Sequence, residues 1–155
     1  MYKDKGITKL VDAGIIWIFL TILLLILPKM RKYGLAMLVG LCIDVIVCNG
    51  LLKNLVARTR PCDVNTAIQL LISHPTDYSF PSGHTAASFT AVAALYFSGD
   101  KKLWKAAIVL GILIAFSRMY LYVHYPTDIL GVALIGIFSG FVGAKIVCYI
   151  MKKGQ

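Results

Sequence analysis

The sequence predicts an all-α integral membrane protein: a helical bundle of about five transmembrane helices, plus a short interfacial helix in the 61–81 loop. Three observations carry this reading. The 155 residues are 59% hydrophobic and only 15% charged, too apolar for a soluble domain of this size. Several apolar runs reach or approach the ~20 residues that a helix needs to cross a bilayer. Basic residues then gather in the short links between those runs, as the positive-inside rule requires. The length suits one domain, so 1–155 is expected to form a single membrane-embedded unit.

Taken in order, residues 1–9 form a short polar tail. The run L-V-D-A-G-I-I-W-I-F-L-T-I-L-L-L-I-L over 10–27 is the first spanning helix, stopped by Pro28. It outlasts the apolar core of a leader peptide and shows no small-residue cleavage site, so a retained helix is expected. The link P-K-M-R-K-Y carries three positive charges and should face the cytoplasm. The second helix runs from about Gly34 to Val56 and contains Asp44 and Asn49. An acid at membrane depth faces the bundle interior with a partner. Asp44 either pairs with Lys145 or a hydroxyl, or joins a supporting layer beneath a polar site.

Residues 57–81 form the one long polar connection, a length often reserved for function. Its middle, T-A-I-Q-L-L-I, suits a short amphipathic turn on the membrane surface. The third helix spans about Ser82 to Phe97 and is rich in Ala, Ser and Thr, which favours close helix contact. The basic link S-G-D-K-K-L-W-K follows. The fourth helix covers about Leu103 to Tyr122 and the fifth about Thr127 to Met151. Gly136 and Gly140 in the fifth make a G-x-x-x-G pair. Five crossings with cytoplasmic basic links place the N-terminus outside and the C-terminus inside.

The net charge is +9. Its distribution speaks for membrane orientation and against nucleic acid, because Lys29, Arg31, Lys32, Lys101, Lys102, Lys105, Lys152 and Lys153 lie in links or at the C-terminal end. Lys53, Arg58, Arg60 and Arg118 lie at the opposite ends of the same helices and need another explanation. Of the four cysteines, Cys42, Cys48 and Cys148 fall in apolar segments. Cys62 is expected to be exposed in the loop. Their spacing suggests neither a disulfide framework nor a metal site.

Three polar stretches share the outer face, and all three histidines, His74, His84 and His124, fall there. In S-R-M-Y-L-Y-V-H-Y-P-T-D (117–128), Arg118 can grip an anion with a planar fork of donors. His124 can act as nucleophile or acid/base. Asp128, four residues on, can hold the imidazole in one tautomer if a helix joins them. The bland alternative is an aromatic membrane border with anchoring charges. In K-N-L-V-A-R-T-R-P (53–61), Lys53 and Arg60 are seven residues apart, so about two helical turns would align them. The alternative is a basic helix end reaching for headgroups. In P-S-G-H-T (81–85), Ser82 can cap a helix, and Gly83 lets backbone N–H groups approach an anion at the positive helix N-terminus. Its alternative is an ordinary helix start with an interfacial histidine. Together, three cations and a helix N-terminus beside two histidines and an aspartate suit phosphoryl transfer, with a histidine as nucleophile and no metal.

At full spacing, K-x-x-x-x-x-x-R-P (53–61), P-S-G-H (81–84) and S-R-x-x-x-x-x-H-x-x-x-D (117–128) resemble the three signatures of the type 2 phosphatidic acid phosphatase family, whose superfamily includes the vanadium-dependent haloperoxidases. The signatures cover about half of the chain. Membrane members usually have six helices. Five are counted here, and the missing one would lie upstream of every signature. The resemblance implies an integral membrane lipid phosphatase that needs no cofactor. It implies that His124 attacks phosphorus, that Asp128 orients His124, and that His84 protonates the leaving group. Lys53, Arg60, Arg118, Ser82 and the Gly83 N–H would bind phosphate. Arg58 stands outside the signatures as a headgroup or structural charge, and His74 and Asp77 are expected to be solvated loop residues.

The implied partner is a membrane lipid reached from the bilayer: undecaprenyl diphosphate, phosphatidic acid, phosphatidylglycerol phosphate or phosphorylated lipid A. Oligomeric state is not legible. Two competing classes are a vanadate-dependent oxidase and a non-catalytic membrane scaffold. Metal-independent phosphate release would separate both from a phosphatase.

Overall fold

The protein is described here over residues 13–154 of a computed structural model. The polar tail and the expected helix start at residues 10–12 lie outside them. Helix α1 is Ala13–Ile26. Pro28 stops it, and a single 3-10 turn, Pro28–Met30, reverses the chain. Helix α2, Arg31–Val45, passes without a break into a π-helical segment, Ile46–Leu52, and then into α3, Lys53–Val56. The single helix expected over 34–56 therefore starts earlier and winds more slowly in its second half. Ala57, at φ 45°, ends it.

The short helix of the long connection is α4, Pro61–Val64, started by its proline. The T-A-I-Q-L-L-I stretch forms turns and bends instead. Cys62, expected to be exposed, is buried within α4. Helix α5, Gly83–Ser98, ends at Gly99, whose φ of 95° suits a glycine C-cap. Asp100 accepts hydrogen bonds from the Lys102 and Trp104 N–H groups and so starts α6, Leu103–Tyr120. Helix α7, Pro126–Lys153, completes the bundle. No strand occurs among the described residues. Among the described residues, three stretches, 28–64, 103–120 and 126–153, are long and apolar enough to span a bilayer, while the described part of α1 is apolar but shorter.

Helix α5 is the centre, touching α1, α2, α6 and α7. Its Ala, Ser and Thr side chains, except the partly buried Ala87, are buried, while Phe19, Ile46, Leu113, Phe116, Leu134 and Phe138 face outward. Such a small-residue interior with a large apolar exterior is what helix association in lipid selects. Trp17 fastens α1 to the centre by donating to the Ser88 hydroxyl at 2.9 Å. The glycines of α7 let backbones meet. A Cβ on Gly136 would lie 2.6 Å from the Ala86 carbonyl oxygen, and one on Gly143 2.5 Å from the Gly40 nitrogen. One on Gly140 would collide with the Thr90 carbonyl oxygen. Gly140→Ala should therefore cost about 2 kcal/mol or more, since backbone rather than a flexible side chain must yield. A thermal unfolding midpoint in detergent well below that of wild type checks this, with Gly50→Ala, which has open space around it, as the neutral control.

Asp44 is buried, but Lys145 is not its partner. Lys145 lies over the Phe141 ring at 5.4 Å. Asp44 Oδ1 instead accepts from the Cys48 thiol at 3.4 Å, one turn along its own helix. The basic links at 28–32 and 99–102 sit at one end of the bundle. There a Cβ on Gly99 would lie 4.0 Å from Lys32 Nζ. The 57–82 connection and the 121–125 turn close the other end.

Candidate active site

At that second end a cavity of about 590 Å³ is lined by Lys53, Arg60, Gly83, His84, Arg118 and His124, among others. Each reaches it from a different element. Lys53 opens α3. Arg60 follows the left-handed Ala57 in an extended segment that Pro61 favours. Gly83 and His84 begin α5, Arg118 ends α6, and His124 follows Tyr122, a second left-handed residue at φ 59°. Lys53 and Arg60 are thus not stacked on one helix as their spacing suggested. The helix breaks at Ala57, and both cations are drawn together by a common anion.

That anion is Asp77, a half-exposed loop residue as expected, but one paired with both cations. Lys53 Nζ bonds its Oδ2. Arg60 Nη2 donates to Oδ1 at 2.5 Å, and Arg60 Nε donates to the Asp77 carbonyl at 2.8 Å. Partial burial pushes the Asp77 carboxyl up, but the bonds from Lys53 and Arg60 outweigh this and hold it below the usual carboxylate range. Arg60 is itself buried. Its Nη1 donates to the Val123 carbonyl at 2.8 Å and stands 3.2 Å from His124 Nε2.

His124 Nδ1 lies 2.6 Å from the Ser79 carbonyl oxygen. A carbonyl can only accept, so Nδ1 carries the proton and Nε2 keeps its lone pair. Burial, then the Arg60 charge, push the imidazole down to about 4. The ring is therefore neutral at pH 7, with Nε2 on the Arg60 side.

Asp128 does not touch the ring directly. Its Oδ2 is 4.0 Å from His124 Nδ1, and it is committed to other donors. Oδ2 accepts from the Ser79 hydroxyl at 2.5 Å and from the Tyr125 N–H at 3.0 Å. Oδ1 accepts from Arg58 Nη1 at 2.6 Å. Asp128 thus fixes Ser79, whose carbonyl fixes the imidazole. Arg58 also donates to Thr127 Oγ1 at 2.8 Å and lies 4.0 Å above the Tyr125 ring, so it is a structural clamp on the start of α7.

The Ser82 side chain is fully buried beneath the cavity, its hydroxyl 3.1 Å from that of Thr85. The Ser88 hydroxyl holds the His84 carbonyl at 2.7 Å. His74 is exposed and pairs with Asp63 at 2.9 Å. Cys62, Asp63 and His74 bring ligand atoms within 4.8 Å of one another, a juxtaposition that their sequence spacing did not suggest. Asp77 and Ser79 are the site residues that sequence reasoning missed, while Arg58 is the structural charge that one of its two readings gave. Lys53 and Asp77 meet across 24 residues, and Arg58 and Asp128 across 70.

Chemically, the cavity offers a cationic rim, a helix N-terminus and an imidazole whose unprotonated Nε2 faces the Arg60 guanidinium, an arrangement suited to a tetrahedral oxyanion. A second, wholly apolar groove of about 450 Å³ runs between α1 and α2 and shares Ile18, Leu41 and Val45 with it.

A family model described as the PAP2 superfamily matches residues 32–152. An undecaprenyl-diphosphatase of Sulfolobus acidocaldarius is 34% identical over 131 residues, 84% of this chain and 63% of its own length. This chain therefore spans somewhat less than two thirds of that relative. The crystal structure of Aquifex aeolicus LpxE superposes with a TM-score of 0.71 at 31% identity, over 85% of this chain and 78% of that one. A transmembrane PAP2-type phosphatidylglycerolphosphate phosphatase from Bacillus subtilis gives 0.62 at 27% identity, over 90% and 69%.

Proposed function

The chain belongs to the PAP2 superfamily, and we propose that it is a membrane lipid phosphatase hydrolysing a phosphate monoester or diphosphate through a phosphohistidine. One observation carries this: Lys53, Arg60, His84, Arg118 and His124 line a single cavity that adjoins an apolar groove able to hold a lipid chain. Lys53, Arg60, Arg118 and the Gly83 N–H hold the phosphate oxygens. Ser82 supports the cradle from below through Thr85. His124 Nε2 attacks the terminal phosphorus as its P–O bond to the leaving group breaks, the leaving group being the lipid alcohol of a monoester or the lipid phosphate of a diphosphate, and His84 gives a proton to the departing oxygen. Water, deprotonated by His84, then cleaves the P–N bond, releasing phosphate and restoring neutral His124. Asp128 positions the nucleophile by way of Ser79.

Among substrates the reading favours undecaprenyl diphosphate. Its alternatives are phosphatidic acid, phosphatidylglycerol phosphate and lipid A phosphate. With the basic links cytoplasmic, the site opens on the extracytoplasmic side and the C-terminus is cytoplasmic. Phosphate release by the purified protein from a panel of these lipids, with chelator present, tests the reading. Release without added metal supports it and the preferred lipid names the substrate. No release from any lipid overturns it.

Asp77 occupies the cations that phosphate must claim. Asp77→Asn should therefore lower the inhibition constant for inorganic phosphate about fivefold, the size of a half-exposed ion pair. Competition against lipid turnover measures it.

A further inference from the structure

We propose that Asn49 is a further phosphate-contacting residue, turned into the cavity together with Lys53 by the π-helical segment Ile46–Leu52. The inference rests on the phosphate-binding reading above but not on which lipid is hydrolysed.

The helix register is the first ground. From the α2–α3 stretch the cavity is lined by Leu41, Asp44, Val45, Asn49 and Lys53. In an unbroken α-helix, the nine residues from Asp44 to Lys53, at about 100° each, would put the two on opposite faces. The seven π-helical residues between them wind more slowly, and Asp44, Asn49 and Lys53 come to one side. Such insertions recur at functional sites. Here the consequence is specific: Lys53 faces the site because the segment ahead of it is π-helical.

The position of Asn49 is the second ground. It sits one turn before Lys53, and a Cβ on Gly83 would lie 4.0 Å from its Oδ1. It is therefore beside the N-terminus of α5, where backbone N–H groups await an anion. The third ground is vacancy of role. Ser82 turns its hydroxyl to Thr85 and does not line the cavity. The Asn49 carboxamide, by contrast, is exposed to the cavity and has no hydrogen-bond partner among the described residues. Its NH₂ is thus available to donate to a phosphate oxygen between Lys53 and Gly83.

The test uses the full chain in detergent with orthovanadate as probe, a phosphate mimic whose binding is read by thermal stabilisation without any turnover. Asn49→Ala should weaken vanadate binding about tenfold to a hundredfold, the range for a hydrogen bond to a charged group. Asn49→Asp, which keeps the shape and reverses the polarity, should weaken it further. Asn49→Gln should recover part of the loss. Where lipid turnover is measurable, kcat/KM should follow the same order. Vanadate binding within twofold of wild type in both Asn49→Ala and Asn49→Asp overturns the inference, and so does a wild type that vanadate does not stabilise. A variant-dependent vanadate affinity in a protein that releases phosphate from no lipid would retain Asn49 and reject the lipid phosphatase reading.

Discussion

His124→Ala is expected to abolish phosphate release, by at least about ten-thousandfold, because no neighbouring group can replace the attacking nitrogen. The wild-type ring is held from both sides. Nδ1–H donates a hydrogen bond to the Ser79 carbonyl, and Nε2 lies beside Arg60. His124→Asn, which retains a polar side chain in the same buried position, should fold and insert yet be equally inactive. This separates lost chemistry from lost structure. Trapping of radiolabelled phosphate on protein by acid-stable or base-stable linkage gives a direct check: wild type should carry a base-stable, acid-labile adduct and both variants none. The acid limb of kcat/KM should fall near the ring's value of about 4, below the ordinary histidine value of 6.5. Stability follows with a definite sign. Between pH 6.5 and about 4 the unfolded chain binds a proton that the folded chain refuses. Acidification through that window therefore destabilises wild type, and His124→Asn should flatten that slope.

Arg60→Ala is expected to lose at least about a hundredfold in kcat/KM, the scale for removing one preorganised charge from a water-poor site. Arg60→Lys should not rescue it. The guanidinium uses three nitrogens at once, on the Asp77 carbonyl, the Asp77 carboxylate and the Val123 carbonyl. An ammonium cannot reproduce that planar set. Arg60 also joins the 57–82 connection to the 121–125 turn, so both variants should unfold at lower temperature. Comparing vanadate affinity with the unfolding midpoint divides the charge effect from the structural one. Unchanged turnover in Arg60→Lys would mean that the fork is scaffolding only.

The helices were legible because long apolar runs with basic links admit few other solutions. So was the convergence of Lys53, Arg60, His84, Arg118 and His124, since each sits at or just beyond a helix end on the same side. The π-helical turn was not legible, as I-V-C-N-G-L-L has a single polar side chain, Asn49, and carries no period that distinguishes five from four residues. The break at Ala57 was hidden because alanine favours a helix and has no tendency to the left-handed region. Pro61 was a better guide to α4 than the amphipathic pattern that follows it. Asp77 and Ser79 come from the irregular connection, where position depends on tertiary contacts and local spacing says nothing. Asp128 illustrates a subtler limit. The i, i+4 spacing to His124 is real, but α7 begins between them, and the carboxylate is spent on holding Ser79.

Because the cavity lies at one end of the bundle, the proposed reaction would be confined to one leaflet. Lipid headgroups in the opposite monolayer are about a bilayer thickness away and chemically invisible to it. Under the proposed function, the supply of such a lipid to the site would then be governed as much by transbilayer movement as by the chemistry itself.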